Sequence, residues 1–396
     1  MSLAGLIDQH LPRAIDLRHR LHQIPEIRYE EFQTCAAIRS ELDRLGIKYI
    51  DGVEGAATAT IAWLGDPSKG CIALRADIDG LPICEATGLP YSSTHPGRMH
   101  ACGHDGHSAN LLGVTAMLKS LESKLPVCVK LIWQPAEEGG AGAAKLVEAG
   151  VLDGRIGPKV EAIFGLHGWP GLKVGLVSTK PGPLLAATDN FTIQFRGRGT
   201  HAAYPHLGRD PIAAMASAIV DLQQVVSRDV DPTDPAVVTV GIVNGGTAIN
   251  VIPDTAEFSG TARSLHGAMR KRLREAMHRR CSGIAAAHGC ELSFIWEDGY
   301  PPTTNDPAMA DYVSRIARQT VGEKNFIPTA RPSMGGEDLS YDLEKIPGCF
   351  FFVGVEPADV NGYPSLHSDK YDFTDAALGV AMRMFGEIVM NWGGGR

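Results

Sequence analysis

Short apolar runs that alternate with amphipathic stretches constrain the fold of this chain most. Runs typical of buried strands occupy residues 57–64, 71–76, 127–133 and 161–166. Amphipathic spacing predicts helices near residues 11–23 and 29–45 and at 107–122, and the second of these stops at Gly46. Buried strands covered by helices are typical of an α/β layered domain.

A second block of elements lies between two clusters of proline and glycine, at residues 180–183 and 299–302. The pattern within it predicts strand, helix, strand, strand, helix and strand, at residues 190–196, 210–227, 236–243, 256–263, 267–288 and 290–296. This β-α-β-β-α-β order is that of a ferredoxin-like α+β sandwich. The chain then returns to helix and strand segments, at residues 307–321, 349–355 and 372–391.

Composition and charge argue against several classes of function. The formal net charge is −8, whereas a protein that binds nucleic acid needs a basic surface to displace counterions. The densest basic run falls in the predicted helix 267–288, whose opposite face is apolar, so it is interpreted as a solvated helix face. No apolar stretch is long enough to span a membrane, and the N-terminus lacks the apolar core of a signal peptide. We therefore expect a cytoplasmic protein with no membrane or nucleic-acid partner, and the eight scattered cysteines fit reduced thiols.

A thiol and an imidazole, Cys102 and His104, lie two residues apart just before the predicted helix at 107–122. Thiolate and neutral imidazole are ligands that zinc and related divalent metals favour, and the glycine between them lets the loop turn both inward. A single Cys-x-His pair is weak evidence, because a lone histidine is more often a packed or surface residue.

Two adjacent carboxylates, Glu137 and Glu138, follow the apolar run 127–133 and precede two glycines. Adjacent acids repel each other in a cleft, which suggests that one binds a metal and the other transfers a proton. Two exposed loop glutamates are the alternative.

Two further histidines complete the candidate ligand set. His167 closes the apolar run 161–166, and His367 lies just before the last predicted helix. In α/β folds ligands gather beyond the carboxyl ends of strands. Five candidate ligands exceed the four of a structural zinc site, so two metals that share a bridging ligand and a water fit better. Such a set accepts zinc, manganese, cobalt or nickel.

The length and the place of His367 predict how the domains are arranged. A single core stops growing at roughly 250–300 residues, so 396 residues indicate two domains. His367 follows the small domain in sequence, but it can act as a metal ligand only beside the candidate ligands that precede that domain. The small domain is therefore interpreted as an insertion. We expect a discontinuous metal-binding catalytic domain of residues 1–183 and 300–396, interrupted by an inserted domain of residues 184–299.

A series of short motifs, spread over nearly the whole chain, resembles the motifs of a known protein family. They are RADIDGLP at 75–82, MHACGHDGH at 99–107, QPAEEGG at 134–140, GLHGWP at 165–170, GRGTHAAYPH at 197–206, NVIPD at 250–254, GGEDLS at 335–340 and LHS at 366–368. In this order they resemble the metal-dependent aminoacylase and carboxypeptidase-type peptidases, in the branch of the hippurate hydrolases and N-acyl-L-amino acid amidohydrolases. Local departures at Ile78, Gly80 and Thr200 affect the expected substrate preference and leave every proposed ligand in place.

The resemblance implies an enzyme that hydrolyses the amide bond of N-acyl amino acids with two divalent metal ions. It implies that Glu137 is the general base and that His201 stabilises the developing oxyanion. The small domain would be a lid that forms a homodimer or homotetramer. The implied metal ligands are Cys102 as the bridge, with His104, Glu138, His167 and His367.

Three polar residues are candidates for supporting roles. Asp79 is interpreted as orienting a ligand histidine through the ring nitrogen that does not bind metal, with a turn-capping aspartate as the alternative. Asn250 and Arg263 are candidates for binding the substrate carboxylate, since an arginine fork suits bidentate recognition.

Two other functions stay open on the sequence. Cys102 could act as a nucleophile with His104 or His107 as its base, although a cysteine bound to metal is not free to attack. The chain could also be an inactive, metal-stabilised binding protein, which would have no need of Glu137 beside Glu138.

Overall fold

The computed structural model describes residues 2–360 and 362–393. The helices are α1 Leu3–His22, α2 Phe32–Arg44, α3 His104–Ser120, α4 Gly142–Ala149, α5 Pro211–Gln224, α6 Gly267–His288, α7 Pro307–Val321, α8 Ser340–Leu343 and α9 Asp375–Met390. The strands are β1 Tyr49–Val53, β2 Ala56–Leu64, β3 Cys71–Asp77, β4 Cys128–Gln134, β5 Ala162–Lys173, β6 Val177–Ser178, β7 Gly182–Leu185, β8 Ala187–Arg196, β9 Thr200–His201, β10 Ala236–Gly245, β11 Val251–Ile252, β12 Thr255–Ser264, β13 Glu291–Glu297, β14 Thr303–Asn305 and β15 Gly348–Glu356.

These elements divide into two units. Unit 1 contains residues 1–182, 304–330 and 338–396, and unit 2 contains residues 183–303 and 331–337. The stretch 331–337, which the sequence placed with the first domain, joins unit 2 through backbone hydrogen bonds: Ala186 donates to Gly335, and Ser333 donates to Leu184.

A seven-stranded sheet with the order β1-β2-β4-β3-β5-β15-β6 forms the centre of unit 1. Its four middle strands, β4, β3, β5 and β15, are mutually parallel, while β1, β2 and β6 are antiparallel to their neighbours. Every residue of β3, β4 and β15 is buried, as expected for strands covered on both faces. Helices α1, α3 and α9 pack against one another, with α3 against β3 and α9 against β15.

Unit 2 contains a four-stranded antiparallel sheet with the order β10-β12-β8-β13. Helices α5 and α6 pack on this sheet, and their buried side chains join those of β8 and β12 in a separate core that includes Phe191, Phe195, Phe258, Leu273 and Met277. Helix α6 has the predicted bounds, and its apolar side is buried while the basic run lies on the other side. The element order β-α-β-β-α-β is the predicted one.

Several predicted boundaries in unit 1 were wrong. Helices α2, α3 and α9 begin at Phe32, His104 and Asp375, three residues from the predicted starts at 29, 107 and 372, so His104 lies in α3 and not before it.

Two boundaries differ more. Helix α1 begins at Leu3 instead of near residue 11, because Pro12 lies on the solvent-exposed side, where the carbonyl of Asp8 can bond to water. Strand β5 continues to Lys173, beyond the predicted end at 166, because Trp169 pairs with Gly354 of β15. In the described residues, no helix has both the length and the apolar character needed to cross a bilayer.

Candidate metal centre

The parallel strands of unit 1 bring the candidate ligands to one edge of the sheet. Glu137 and Glu138 follow the end of β4, and His367 follows β15. His167 lies within β5, opposite Phe352, so it does not close its strand as the sequence suggested. Since the carboxyl ends of parallel strands meet at one edge, residues far apart in sequence converge there.

Glycine and left-handed backbone shape the loops that carry the ligands. Gly103, between Cys102 and His104, has a φ of 87° and is the N-cap of α3. An added Cβ there would lie 3.0 Å from the Tyr371 hydroxyl, so the turn requires glycine on both grounds. His367 has a φ of 64°, and its N–H donates to the carbonyl of Ala101 at 2.9 Å, which ties it to the Cys102 loop.

The five predicted ligands form overlapping clusters. Three sets of potential ligand atoms each lie within 4.8 Å of one another. The Sγ of Cys102 is 3.3 Å from the Nε2 of His167, and the Nε2 of His367 is 3.1 Å from the Oε1 of Glu138. The sets are Cys102, His104 and His167; Cys102, Glu138 and His367; and His104, Glu137 and Glu138.

Hydrogen bonds fix which ring nitrogen of two ligand histidines is available. The Nδ1 of His104 bonds to Asp79 at 3.1 Å, and the Nδ1 of His167 bonds to the Gly168 carbonyl at 2.8 Å. Because these acceptors place the proton on Nδ1, the Nε2 lone pair of each ring is left for a metal. The other oxygen of Asp79 accepts from the Glu138 N–H at 2.9 Å, so one carboxylate orients two candidate ligands.

His107 lies beside these rings but has both nitrogens occupied. Its Nδ1 bonds to Asp77 at 2.6 Å, and its Nε2 accepts from the Gly168 N–H at 2.9 Å. Although Asp77, His104 and His107 also form a close group, this bonding marks His107 as part of the scaffold. From the sequence, His107 was considered only as the base of the alternative thiol mechanism, and Asp77 was assigned no role.

Burial and negative charge dominate the electrostatics of the centre. Burial, together with Glu138 and Glu137, raises the pKa of the Cys102 thiol well above its usual value. Burial alone would lower the pKa of His104, but Asp77 and Asp79 outweigh it and raise the value to about 10. The negative charge that stabilises protonated His104 would equally stabilise a bound metal cation. Such a cation would also lower the pKa of the Cys102 thiol.

The donor set fits divalent metals. The Nε2 of His104 is buried and has no hydrogen-bond partner among the residues that the structure describes. Thiol, imidazole and carboxylate groups surround it, and the carboxylates supply the charge that two cations would neutralise.

A buried ionic network lies next to the metal centre, and no role was predicted for its members from the sequence. Arg75 donates to Asp77 and to Asp338, both at 2.6 Å, and to Gln134 at 2.8 Å. The Asp338 carboxylate also accepts from the Gln134 side chain, and the Asp338 N–H donates to Oε1 of Glu137 at 3.4 Å. Arg75 and Asp338 lie in the motifs RADIDGLP and GGEDLS, whose charged residues were the only sequence signal for this pairing.

The remaining predicted residues lie in unit 2. His201 in β9 and Asn250 are exposed neighbours, since the Ala202 N–H donates to the Asn250 carbonyl at 3.0 Å. Arg263 is half-buried near the far end of β12, paired with Thr188 and Val237. Unit 2 brings His201 and Asn250 together. Within the described chain no hydrogen bond joins Arg263 to Asn250, so the two candidates for binding the carboxylate are not brought together.

Comparisons with known proteins give a consistent result. The model of peptidase family M20/M25/M40 matches residues 73–391. N-acetyl-L-cysteine deacetylase of Bacillus subtilis is 44% identical over 343 residues, which cover 86% of this chain and 80% of that protein. IAA-amino acid hydrolase ILR1-like 4 of Arabidopsis thaliana is 39% identical over 92% of this chain and 82% of its own length. The solved structure of the Bacillus subtilis YXEP protein, described as a dinuclear metal binding peptidase from the M20 family, is 38% identical with a TM-score of 0.83, over 97% of this chain and 98% of that one.

Proposed function

The chain belongs to peptidase family M20/M25/M40, and we propose that it hydrolyses the amide bond of N-acyl amino acids at a two-metal centre in unit 1. The relatives named above act on an N-acetyl amino acid and on an IAA-amino acid, so their shared substrate is an amino acid with an acylated nitrogen. The observation that carries the proposal is that five side chains able to bind a metal, and one additional carboxylate, meet at one edge of the sheet.

The ligands that would hold the metals are the five residues predicted from the sequence. Cys102, His104 and Glu138 each belong to two of the ligand sets, and Cys102 is the one that the family resemblance implies would bridge the metals. Bound divalent metals at such a site polarise a carbonyl oxygen and lower the pKa of water. The donor set suits zinc, manganese, cobalt or nickel. The five residues are Cys102, His104, Glu138, His167 and His367.

Glu137 is the residue that we propose to move the proton. A carboxylate oxygen of Glu137 lies within 4.8 Å of potential ligand atoms of His104 and Glu138, whereas Glu138 itself contacts His367. Glu137 would accept a proton from the attacking water and deliver it to the amide nitrogen as the C–N bond breaks. Water adds to the acyl carbon, so the products are a carboxylic acid and a free amino acid.

His201 is suited to donate a hydrogen bond to the developing oxyanion. Its Nδ1 accepts from the Ala203 N–H at 3.1 Å, so the neutral ring carries its proton on Nε2. An N–H of this kind stabilises negative charge on the carbonyl oxygen. Asn250 and Arg263 are proposed as separate candidates for the group that binds the substrate carboxylate, and Arg263 supplies a planar donor.

The contacts of Cys102 weigh against a thiol nucleophile. Its thiol is buried among carboxylates that disfavour the thiolate. The proposed bases are engaged elsewhere: His107 through both of its nitrogens, and His104 through Asp79. The ring nearest to the thiol is His167, whose Nε2 lies 3.3 Å from Sγ, but burial lowers the pKa of His167 well below its usual value, which makes it a weak base for activating a cysteine.

Unit 2 is proposed to be a ferredoxin-like lid through which the chain dimerises. Its strand β10 is an edge strand, and Ile242 and Val243 on it are exposed, as are the nearby Ile249 and Val251. An exposed apolar edge strand can pair with the same strand of a second copy. The free thiols, of which only Cys84 is exposed, support a reducing, cytoplasmic location.

A substrate panel tests the proposed reaction. Purified protein would be assayed for release of free amino acid from N-acetyl and N-benzoyl amino acids, N-acetylcysteine included, with EDTA and then with added Zn²⁺, Mn²⁺, Co²⁺ or Ni²⁺. We expect EDTA to abolish hydrolysis and one or more metals to restore it. Hydrolysis that persists after verified metal removal would favour the thiol mechanism, and no hydrolysis by the metal-loaded protein would contradict the proposal.

A further inference from the structure

The loop that carries Glu137 and Glu138 leaves strand β4 in a backbone conformation that few residues adopt. Ala136, the residue before Glu137, has a φ of 58°, in the left-handed region where a Cβ is disfavoured. Ala136 is buried. Such a conformation persists only where surrounding contacts hold it, and it determines the direction in which the next side chain points.

Glu31 supplies the side-chain contact that holds Ala136, whose carbonyl also accepts from the Gly140 and Gly142 N–H groups at 3.2 and 3.3 Å. The carboxylate of Glu31 is fully buried, and its Oε1 accepts from the Ala136 N–H at 2.9 Å. The same oxygen accepts from the Tyr29 N–H at 2.9 Å, and Oε2 accepts from the Thr58 hydroxyl at 2.6 Å. Burial raises the pKa of Glu31 to about 7, although the Thr58 bond opposes this shift.

Glu31 lies at the N-cap position of α2, but its side chain binds the loop after β4 and not the helix. It is the N-cap residue of α2, and its side chain makes no capping bond to that helix. The Thr34 N–H in the first turn of α2 donates instead to the Glu26 carboxylate at 2.9 Å. A buried carboxylate diverted from its own helix to a distant backbone N–H indicates a role in shaping that distant loop.

We call the segment 28–31 the cradle, and the loop that carries Glu137 and Glu138 the glutamate loop. The cradle contacts the glutamate loop at two more places. The Arg28 guanidinium donates to the Glu138 carbonyl at 3.1 Å, and the Tyr29 hydroxyl donates to the Gly140 carbonyl at 2.7 Å. Tyr29 itself has a φ of 64°. The cradle therefore holds the backbone on both sides of Glu137.

We propose that Glu31 is a positioning residue for the reaction: its carboxylate holds the Ala136 peptide in the left-handed region and thereby aims Glu137. This inference rests on the proposed role of Glu137 as the base. Glu138 has separate anchors, because Asp79 binds its N–H and Arg28 its carbonyl. Loss of Glu31 should therefore disturb proton transfer by Glu137 more than metal binding by Glu138.

Variants at Glu31 separate the length of the side chain from its charge. Glu31→Ala removes the acceptor and should lower kcat about 10-fold or more, since a small misplacement of a catalytic group has effects of this size. Glu31→Gln keeps an oxygen at the same reach, and its NH₂ can donate to the Thr58 hydroxyl, so kcat should stay within about 3-fold. Glu31→Asp keeps the charge but is shorter, so kcat should fall more than in Glu31→Gln. KM should change little in all three.

Glu26→Ala is the matched control. Glu26 is also a buried glutamate, just before the cradle, but its carboxylate binds the first turn of α2 and not the glutamate loop. It should lower the melting temperature while kcat stays within about 2-fold, because lost caps destabilise helices. A fall in kcat equal to that of Glu31→Ala would overturn the positioning role and leave a purely structural one.

Ala136→Gly provides a second, independent test. Glycine adopts positive φ without a Cβ penalty, so the loop would need Glu31 less. Ala136→Gly should therefore restore part of the kcat lost in Glu31→Ala, by about 3-fold or more. No restoration in the double variant would contradict the inference.

Two readouts do not depend on activity and keep this inference separate from the proposed function. Metal content per chain should be unchanged in Glu31→Ala, and amide hydrogen exchange at Ala136 should accelerate in Glu31→Ala but not in Glu26→Ala. If the wild-type protein hydrolyses no amide, these readouts still test whether Glu31 holds the loop. Loss of metal in Glu31→Ala, or unchanged exchange at Ala136, would overturn the inference.

Discussion

The two units of the molecule differ in how they surround the polar side chains of their candidate functional residues. In unit 1 the strand β3 is buried along its whole length, and the polar groups at its end are bonded to one another. In unit 2 the strand β13 alternates between exposed and half-buried residues, and His201 and Asn250 lie in solvent. A buried network fixes the geometry of its members and strengthens their electrostatic interactions, whereas exposed groups are free to adjust.

This difference predicts how substitutions act in each unit. In unit 1, removal of a charged group of the buried network leaves its partners buried without compensation, so the substitution should lower both the stability and the activity. In unit 2, an exposed group can be removed with little effect on folding. Stability and catalysis should therefore be coupled in unit 1 and separable in unit 2.

The largest expected effect follows from Glu137→Gln, which keeps the shape of the side chain but cannot accept a proton. We expect kcat to fall about 10³-fold or more, since a general base contributes roughly 10²- to 10⁴-fold and this one acts in both proton transfers. Metal content should be retained, because the five ligands are untouched. Steady-state kinetics and metal analysis check this, with the exposed Glu148→Gln of α4 as the control. Hydrolysis within a few fold of wild type would remove Glu137 from its proposed role.

Arg75→Met should produce the next largest effect, on stability. It leaves the carboxylates of Asp77 and Asp338 buried without their cation, and breaking a buried ion pair costs about 3–5 kcal/mol. Chemical denaturation measures the change in the free energy of unfolding. The control is Arg155→Met, which removes an exposed pair with Asp153 and should cost less than about 1 kcal/mol. Equal losses in the two variants would show that burial does not distinguish the unit 1 network.

The sequence predicted those parts of unit 1 that depend on local pattern and on strand ends. The apolar runs predicted strands at 71–76 and 127–133, and the structure has β3 and β4 there within one residue at each end. Cys102, Glu138 and His367 could be grouped because ligands collect at the carboxyl ends of strands in an α/β fold. Their convergence follows from chain topology, which the order of elements specifies.

The supporting residues could not be predicted because their partners are distant in sequence and depend on register. Arg75 and Asp338 are 263 residues apart, and Glu31 and Ala136 are 105 apart. No periodicity encodes such pairs, and a glutamate before a helix resembles an ordinary capping residue. The left-handed backbone at Ala136 was equally invisible, since the residue there is not glycine.

His201→Ala tests the other side of the comparison. Loss of one oxyanion donor should lower kcat about 10²-fold. Because His201 is exposed, the melting temperature should change by no more than about 1 °C. His206→Ala, an exposed histidine of the same motif with no proposed role, is the matched control and should leave both quantities unchanged. A clear loss of stability in His201→Ala would show that catalysis and folding are coupled in unit 2 as well.

The last expected effect is a pH dependence, which tests whether the buried network of unit 1 includes His22. His22 in α1 is buried and bonds to Asp105 at 2.9 Å and to Glu85 at 3.3 Å; burial would lower its pKa, but these carboxylates raise it to about 10. A raised value means that the folded chain holds a proton that the unfolded chain releases near pH 6.5, so this stabilisation is complete below pH 6.5 and is lost as pH rises through 10. His22→Gln should therefore be less stable than wild type at pH 6, and the difference should shrink by up to about 1.4 kcal/mol per pH unit as pH rises. Denaturation of both proteins at pH 6, 8 and 10 measures this difference. Because only the difference between the proteins is compared, other titrating groups cancel, and a constant difference would mean that His22 is not held charged by the network.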